Sequence, residues 1–102
     1  SVLCLGMVLN ELSTNAAKYG ALSGVNGKID VSWSLDSHDE LEKLSLEWIE
    51  DFEITNPNSS RIGFGTKIIK SIIPYELDGE VNYLVEGGKV SFKAIIPTDK
   101  LY

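Results

Sequence analysis

Basic residues, cysteines, histidines and long apolar runs are all scarce in this chain, and each scarcity removes a class of function. Cys4 is the single cysteine among 102 residues, so no internal disulfide can form. A disulfide-stapled secreted scaffold is excluded, and a reducing, cytoplasmic setting fits. Nine Lys and Arg against 15 Asp and Glu give a net charge of −6. That balance repels a phosphate backbone and the basic residues form no dense cluster, so no nucleic-acid partner is expected. A small anionic ligand is still compatible, because backbone N–H groups and one lysine can neutralise it locally. No apolar run approaches the roughly 20 residues that a membrane helix needs, and no charged-then-apolar leader opens the chain. No membrane contact by this domain is therefore expected. The single histidine, His38, lies in the polar stretch "DSHDELE" and reads as a surface turn residue.

The length fits one domain over residues 1–102. A chain of this size buries roughly 60–70% of the surface that it exposes when unfolded, enough for a core without staples. Ser1 stands directly before a strongly helical stretch with no capping run, so the sequence reads as a piece of a longer protein, short at its N-terminus. Residues 2–19 carry Leu5, Leu9, Leu12 and Ala16 on one stripe of a helix, with Gly20 as its stop. Residues 28–35, "KIDVSWSL", alternate as a half-buried strand with Ile29, Val31, Trp33 and Leu35 inward. Residues 43–50, "KLSLEWIE", alternate again and put Leu44, Leu46, Trp48 and Glu50 on one inward face. Both tryptophans read as core. Residues 51–62 have no period and form a loop. "GFGT" opens a second helix over roughly 65–73, packed through Ile68, Ile69, Ile72 and Ile73 and stopped by Pro74. Residues 80–85 and 89–96 are two more strands joined through "EGGK", whose glycines allow the positive φ of a tight hairpin. The order helix–strand–strand–helix–strand–strand implies an α+β two-layer sandwich, a mostly antiparallel four-stranded sheet with helices on its apolar face.

Against that frame three polar features point inward. Glu11, Asn15 and Lys18 share a narrow stripe of the first helix, about 60° wide at about 100° per residue. A solvated Glu–Lys pair is the bland explanation of such a stripe. An asparagine one turn after a glutamate also suits Mg²⁺, a hard cation that takes oxygen ligands and shares them with substrate phosphates. The glutamate is then placed to orient or deprotonate a nucleophile, and Lys18 to reach a phosphate as a point charge. At the start of the second helix, Gly63 and Gly65 leave room for phosphate to approach unpaired N–H groups, with Thr66 closing the motif. Glu50, inward at a strand end, can accept a hydrogen bond from the exocyclic amine of adenine. Arg61 either reaches a phosphate or sits in solvent. Tyr19 and Leu22 read as packing residues, and Cys4 as a small buried apolar one.

Taken in order, "LNELSTNAAKYGALS", "GKIDVSW", "LEWIE", "GFGTKII" and "EGGKVSFKAIIP" resemble the catalytic, ATP-binding domain of sensor histidine kinases across nearly the whole chain. Trp48-Ile49-Glu50 is similar to the Trp-x-Glu motif of the HWE group. The resemblance implies the Bergerat ATP-binding fold, shared with DNA gyrase and MutL, and ATP and Mg²⁺ as cofactors. It implies that Asn15 holds Mg²⁺, Glu11 assists phosphoryl transfer, Lys18 lies near the phosphates and Glu50 recognises adenine. Gly63 and Gly65 match the edge of the nucleotide lid, and Thr66 joins the nucleotide-binding set. The implied partners are a phosphoacceptor histidine on a separate domain of the same protein and the receiver domain of a response regulator. The parent protein can be a homodimer and can be membrane-anchored.

One stretch departs from the pattern. After Trp-x-Glu the family usually carries a Gly-Gly-Pro turn, whereas this chain reads Asp51-Phe52-Glu53-Ile54. Phe52 fills the adenine slot, stacks on the base, or closes the loop. A kinase-like domain without ATP, acting as a docking or phosphotransfer scaffold, is the alternative that this departure raises.

Overall fold

The computed structural model describes residues 2–22, 26–38, 41–53 and 64–101, with the side chains of His38 and of residues 64–68 left aside. Helix α1 runs Val2–Tyr19, strand β1 Lys28–His38 and strand β2 Leu41–Asp51. Helix α2 follows over Phe64–Glu76, then strand β3 over Glu80–Glu86, strand β4 over Lys89–Pro97 and a single 3-10 turn over Thr98–Lys100. The strands form one sheet in the order β1-β2-β4-β3, and all three pairings are antiparallel. The expected α+β architecture is therefore present.

Period-two alternation decides what the sheet buries. Leu46, Trp48 and Glu50 of β2 lie beside Ala94, Phe92 and Val90 of β4, and Ala94, Phe92 and Val90 lie in turn beside Val81, Tyr83 and Val85 of β3. Val8, Leu12 and Ala16 of α1 and Ile69 and Ile73 of α2 close over this face, and all five are fully buried. Leu5 and Leu9 pack at the edge of that cluster, so the centre of the α1 stripe is Val8 and Leu12. Cys4 is half-buried at the same edge. Tyr83 and Phe92 meet edge to face with centroids 6.0 Å apart, the arrangement that aromatic quadrupoles favour. Gly87 turns the β3–β4 hairpin at φ 55, as two adjacent glycines predict.

Several expectations change. Trp33 is not core: it is 70% exposed, with Val31 at 42% and Leu35 at 62%. These side chains share the face of Trp48 and Leu46, but β1 is the edge strand and the helices close over β2, β4 and β3 instead. The β1–β2 hairpin is also longer than its neighbours. Ladder pairs with β4 begin only at Lys43, so among the described residues Ser37, His38, Leu41 and Glu42 pair with each other and with no third strand. His38 accordingly sits at the end of β1 opposite Leu41, not in the turn. Tyr19 and Leu22 are exposed rather than packed.

Pro74 does not stop α2, which continues to Glu76. A proline removes the bond to the carbonyl four residues earlier, a cost that a final turn tolerates. The helix instead closes through wider bonds, Leu77 N–H to the Ile72 carbonyl at 3.2 Å and Gly79 N–H to the Ile73 carbonyl at 2.9 Å. Asp78 turns the chain at φ 54.

This burial pattern separates two aromatic residues by stability. Trp33→Ser changes the unfolding free energy by no more than about 0.5 kcal/mol, whereas Phe92→Ala loses about 3–5 kcal/mol. Urea denaturation of the two variants beside the parent checks this, and a Trp33 variant as damaging as the Phe92 one would contradict the edge position of β1.

Candidate functional site

Helix α1 carries its polar stripe on the shoulder of its buried one. At about 100° per residue Asn15 falls beside Val8, with Glu11 and Lys18 progressively further round. Burial follows that order: Asn15 is 9% exposed, Glu11 half-buried and Lys18 exposed. The stripe thus runs from the interior to solvent along one helix edge, as a site that passes from a desolvated ligand contact to a screened charge would require.

Asn15 carries the sharpest signal. Its Nδ2 is buried and has no hydrogen-bond partner, alone among the described residues in that respect. An unsatisfied buried amide costs about 1–3 kcal/mol, and a ligand oxygen placed there would remove that cost. Rotation of the amide by half a turn presents its oxygen at the same place. The position therefore suits either a phosphate oxygen accepting N–H or a hard cation taking the carbonyl oxygen. Among the described residues no three His, Cys, Asp or Glu gather to hold a metal by themselves. A Mg²⁺ at Asn15 would depend on phosphate oxygens and water for its remaining ligands, the usual habit of that ion. The donor set fits Mg²⁺ in that shared form.

The second polar group is Glu50, fully buried on the inward face of β2. Its two oxygens are held separately. Oε1 accepts the Ala21 N–H at 3.0 Å, and Oε2 accepts the Trp48 indole Nε1–H at 2.9 Å. Burying a carboxylate without donors is prohibitively costly, so these two bonds make the position tenable. They also tie the exit of α1 to the end of β2. Gly27 completes the joint: a Cβ there would collide with the Ala21 carbonyl oxygen, so only glycine lets β1 begin so close to that backbone. Trp48 was legible as an inward residue, and its role as a donor follows from sharing a face with Glu50 two positions on. Ala21 had no sequence signal, since it meets Glu50 across 29 positions.

Phe52 and Glu53, the described residues that follow Asp51, are each held. Phe52 N–H donates to the Gly88 carbonyl at 2.8 Å, and its half-buried side chain packs against the core. Of the three roles open to Phe52, closing the loop is the one with a contact behind it. Asn26 Nδ2 donates to Glu53 Oε1 at 3.4 Å. Gly65 and Thr66 lie in the first turn of α2 rather than before it, where N–H groups lack intrahelical partners. Arg61 and Gly63 lie outside the described residues.

No protein-family model matches the chain. A blue-light-activated histidine kinase of Brucella anthropi is 33% identical over 97 residues, covering 93% of this chain and 20% of that protein. Its counterpart in Brucella ovis is 35% identical over 77 residues, covering 74% of this chain and 15% of that protein. The chain thus spans a fifth or less of the relatives that it matches. Among solved structures, the histidine kinase domain of the Erythrobacter litoralis blue-light activated histidine kinase superposes with a TM-score of 0.70 at 19% identity. That match covers 96% of this chain and 45% of the other. The catalytic domain of the histidine kinase ThkA gives a TM-score of 0.66 at 24% identity, covering 93% and 66%.

The joint at Glu50 makes a stability prediction independent of any ligand. Glu50→Ala strands two buried donors at about 1–3 kcal/mol each, so a loss of about 2–6 kcal/mol is expected. Glu50→Gln keeps one acceptor and loses less. Chemical denaturation of both variants decides it, and an alanine variant as stable as the parent would show that neither bond matters.

Proposed function

Because the chain is homologous to histidine kinases and has the fold of their catalytic domains, we propose that it binds Mg·ATP and presents the γ-phosphoryl group to a histidine. That histidine stands on a separate phosphoacceptor domain of the same protein, and the receiver domain of a response regulator takes the phosphoryl group next. The observation that carries the reading is the buried, unpartnered amide of Asn15 on the helix that holds Glu11 and Lys18.

Each residue then has a distinct task. Asn15 gives its amide oxygen to Mg²⁺ or its N–H to a phosphate oxygen. Glu11, half-buried one turn earlier, orients the incoming imidazole or accepts its proton. Lys18, at the solvent end of the stripe, offers a mobile ammonium to the outer phosphates. The backbone at Gly65 and Thr66, in the first turn of α2, supplies N–H donors, and Gly63 is assigned to the same nucleotide-binding set from the sequence motif alone. Glu50 accepts from the exocyclic amine of adenine. Bound Mg·ATP supplies the transferable phosphoryl group and, through the metal, neutralises charge as the bond to ADP breaks and the bond to the histidine nitrogen forms. Phosphoryl transfer of this kind depends mostly on position and electrostatics, so the domain acts by holding groups in place.

A second reading rests on β2 and the segment after it. Glu50 is already bonded to this chain's own donors, and Phe52 packs where the family usually carries glycines. A domain sealed in that way would serve as a docking or phosphotransfer scaffold without nucleotide.

Calorimetric titration with a non-hydrolysable ATP analogue separates the two. The kinase reading expects saturable binding that weakens about tenfold or more, about 1.4 kcal/mol or more, when Mg²⁺ is withdrawn or Asn15→Asp is introduced. Absence of saturation up to millimolar nucleotide would overturn it in favour of the scaffold. Binding indifferent to both Mg²⁺ and the Asn15 change would remove Asn15 from its assigned place.

A further inference from the structure

Glu50 and Trp48 stand two positions apart on β2 and face the same way, and the bond between them fixes more than stability. A carboxylate offers about four lone-pair directions. The Ala21 N–H takes one on Oε1 and the Trp48 indole takes one on Oε2. The carboxylate is therefore pinned from two sides, and among the described residues one direction is left on each oxygen. Trp48 itself cannot drift. It is buried in the core cluster, with Phe92 beside it on β4 and Val31 on β1. Its indole N–H is thus a rigid donor, unlike that of Trp33, which is 70% exposed on the same face.

We propose that Trp48 is a positioning residue for base selection: its indole N–H holds Glu50 so that the free lone pairs accept only a donor, restricting the site to nucleotides whose purine carries an exocyclic amine at that edge. The inference rests on the proposed nucleotide-binding function and adds the cause of its selectivity. A purine with an oxo group at that edge sets acceptor against acceptor, and a pinned carboxylate cannot turn away to relieve the repulsion. When the indole N–H is removed, Oε2 loses its tether, the carboxylate gains rotamers, and the penalty against the oxo base falls. Phenylalanine removes the N–H but is smaller than the indole, so some packing is lost with it; the ratio of affinities for the two bases, rather than either affinity alone, reads the N–H.

Trp48→Phe tests this, with ATP and ITP as the probes, each with Mg²⁺, titrated by calorimetry alongside the parent protein. The parent is expected to favour ATP by about tenfold or more, within the range that one unpaired buried group provides. The variant is expected to bring that ratio close to one while retaining the parent's circular dichroism spectrum. A folded variant with the parent's ratio would overturn the role of Trp48 and leave nucleotide binding intact. A parent that binds neither nucleotide would overturn the nucleotide reading and this inference with it. Should Trp48→Phe fail to fold, the parent's two indole N–H resonances decide. ATP is expected to move the Trp48 signal and not that of Trp33, ITP is expected to move it less, and equal shifts with both nucleotides would overturn the proposal.

Discussion

Everything near the candidate site is built around one buried carboxylate. Glu50 occupies a position on β2 where alternation demands an apolar side chain, and it is fully buried there. What makes this tenable is a pair of donors from opposite directions, the Trp48 indole within its own strand and the Ala21 N–H from the exit of α1. The same bonds that satisfy the charge therefore set where the helix ends relative to the sheet. Gly27 allows the next strand to begin against that exit, because any side chain would strike the Ala21 carbonyl. Helix, strand start and strand end meet at one polar joint inside a largely apolar layer.

With the exit of α1 fixed in this way, the orientation of its last two turns is fixed as well. Their polar stripe grades from a buried Asn15 to an exposed Lys18, and the apolar stripe beside it anchors the helix to the sheet through Val8, Leu12 and Ala16. The unpartnered Asn15 amide is costly in a fold that otherwise satisfies its described buried side-chain groups. Costs of that kind persist where a ligand offsets them. The two polar groups divide the proposed work, Asn15 on the phosphate side and Glu50 on the base side, and both are positioned by α1.

Element order, the largely antiparallel sheet, the β3–β4 hairpin and the inward face of β2 were legible from period and turn chemistry, because alternation and helical spacing are local; the β2–β4 pairing was not. The failures were equally specific. Trp33 has the same alternation as Trp48, yet one is exposed and the other buried. Alternation tells which face a residue is on and says nothing of whether a helix covers that face. Pro74 looked like a stop because a proline breaks the helical bond ladder, but only the packing of Ile73 and Leu77 decides whether the final turn tolerates the loss. The anchorage of Phe52, its N–H on the Gly88 carbonyl and its ring against the core, was likewise invisible in the sequence.

By itself the sequence determined the α+β class, the polar stripe of α1 and the inward placement of Glu50, since each follows from spacing along a single element. Tertiary structure alone decided which apolar face is covered, which polar amide lacks a partner, and which donors hold the carboxylate. Those outcomes depend on groups far apart in the chain, as Ala21 is from Glu50, and no local period carries information about them.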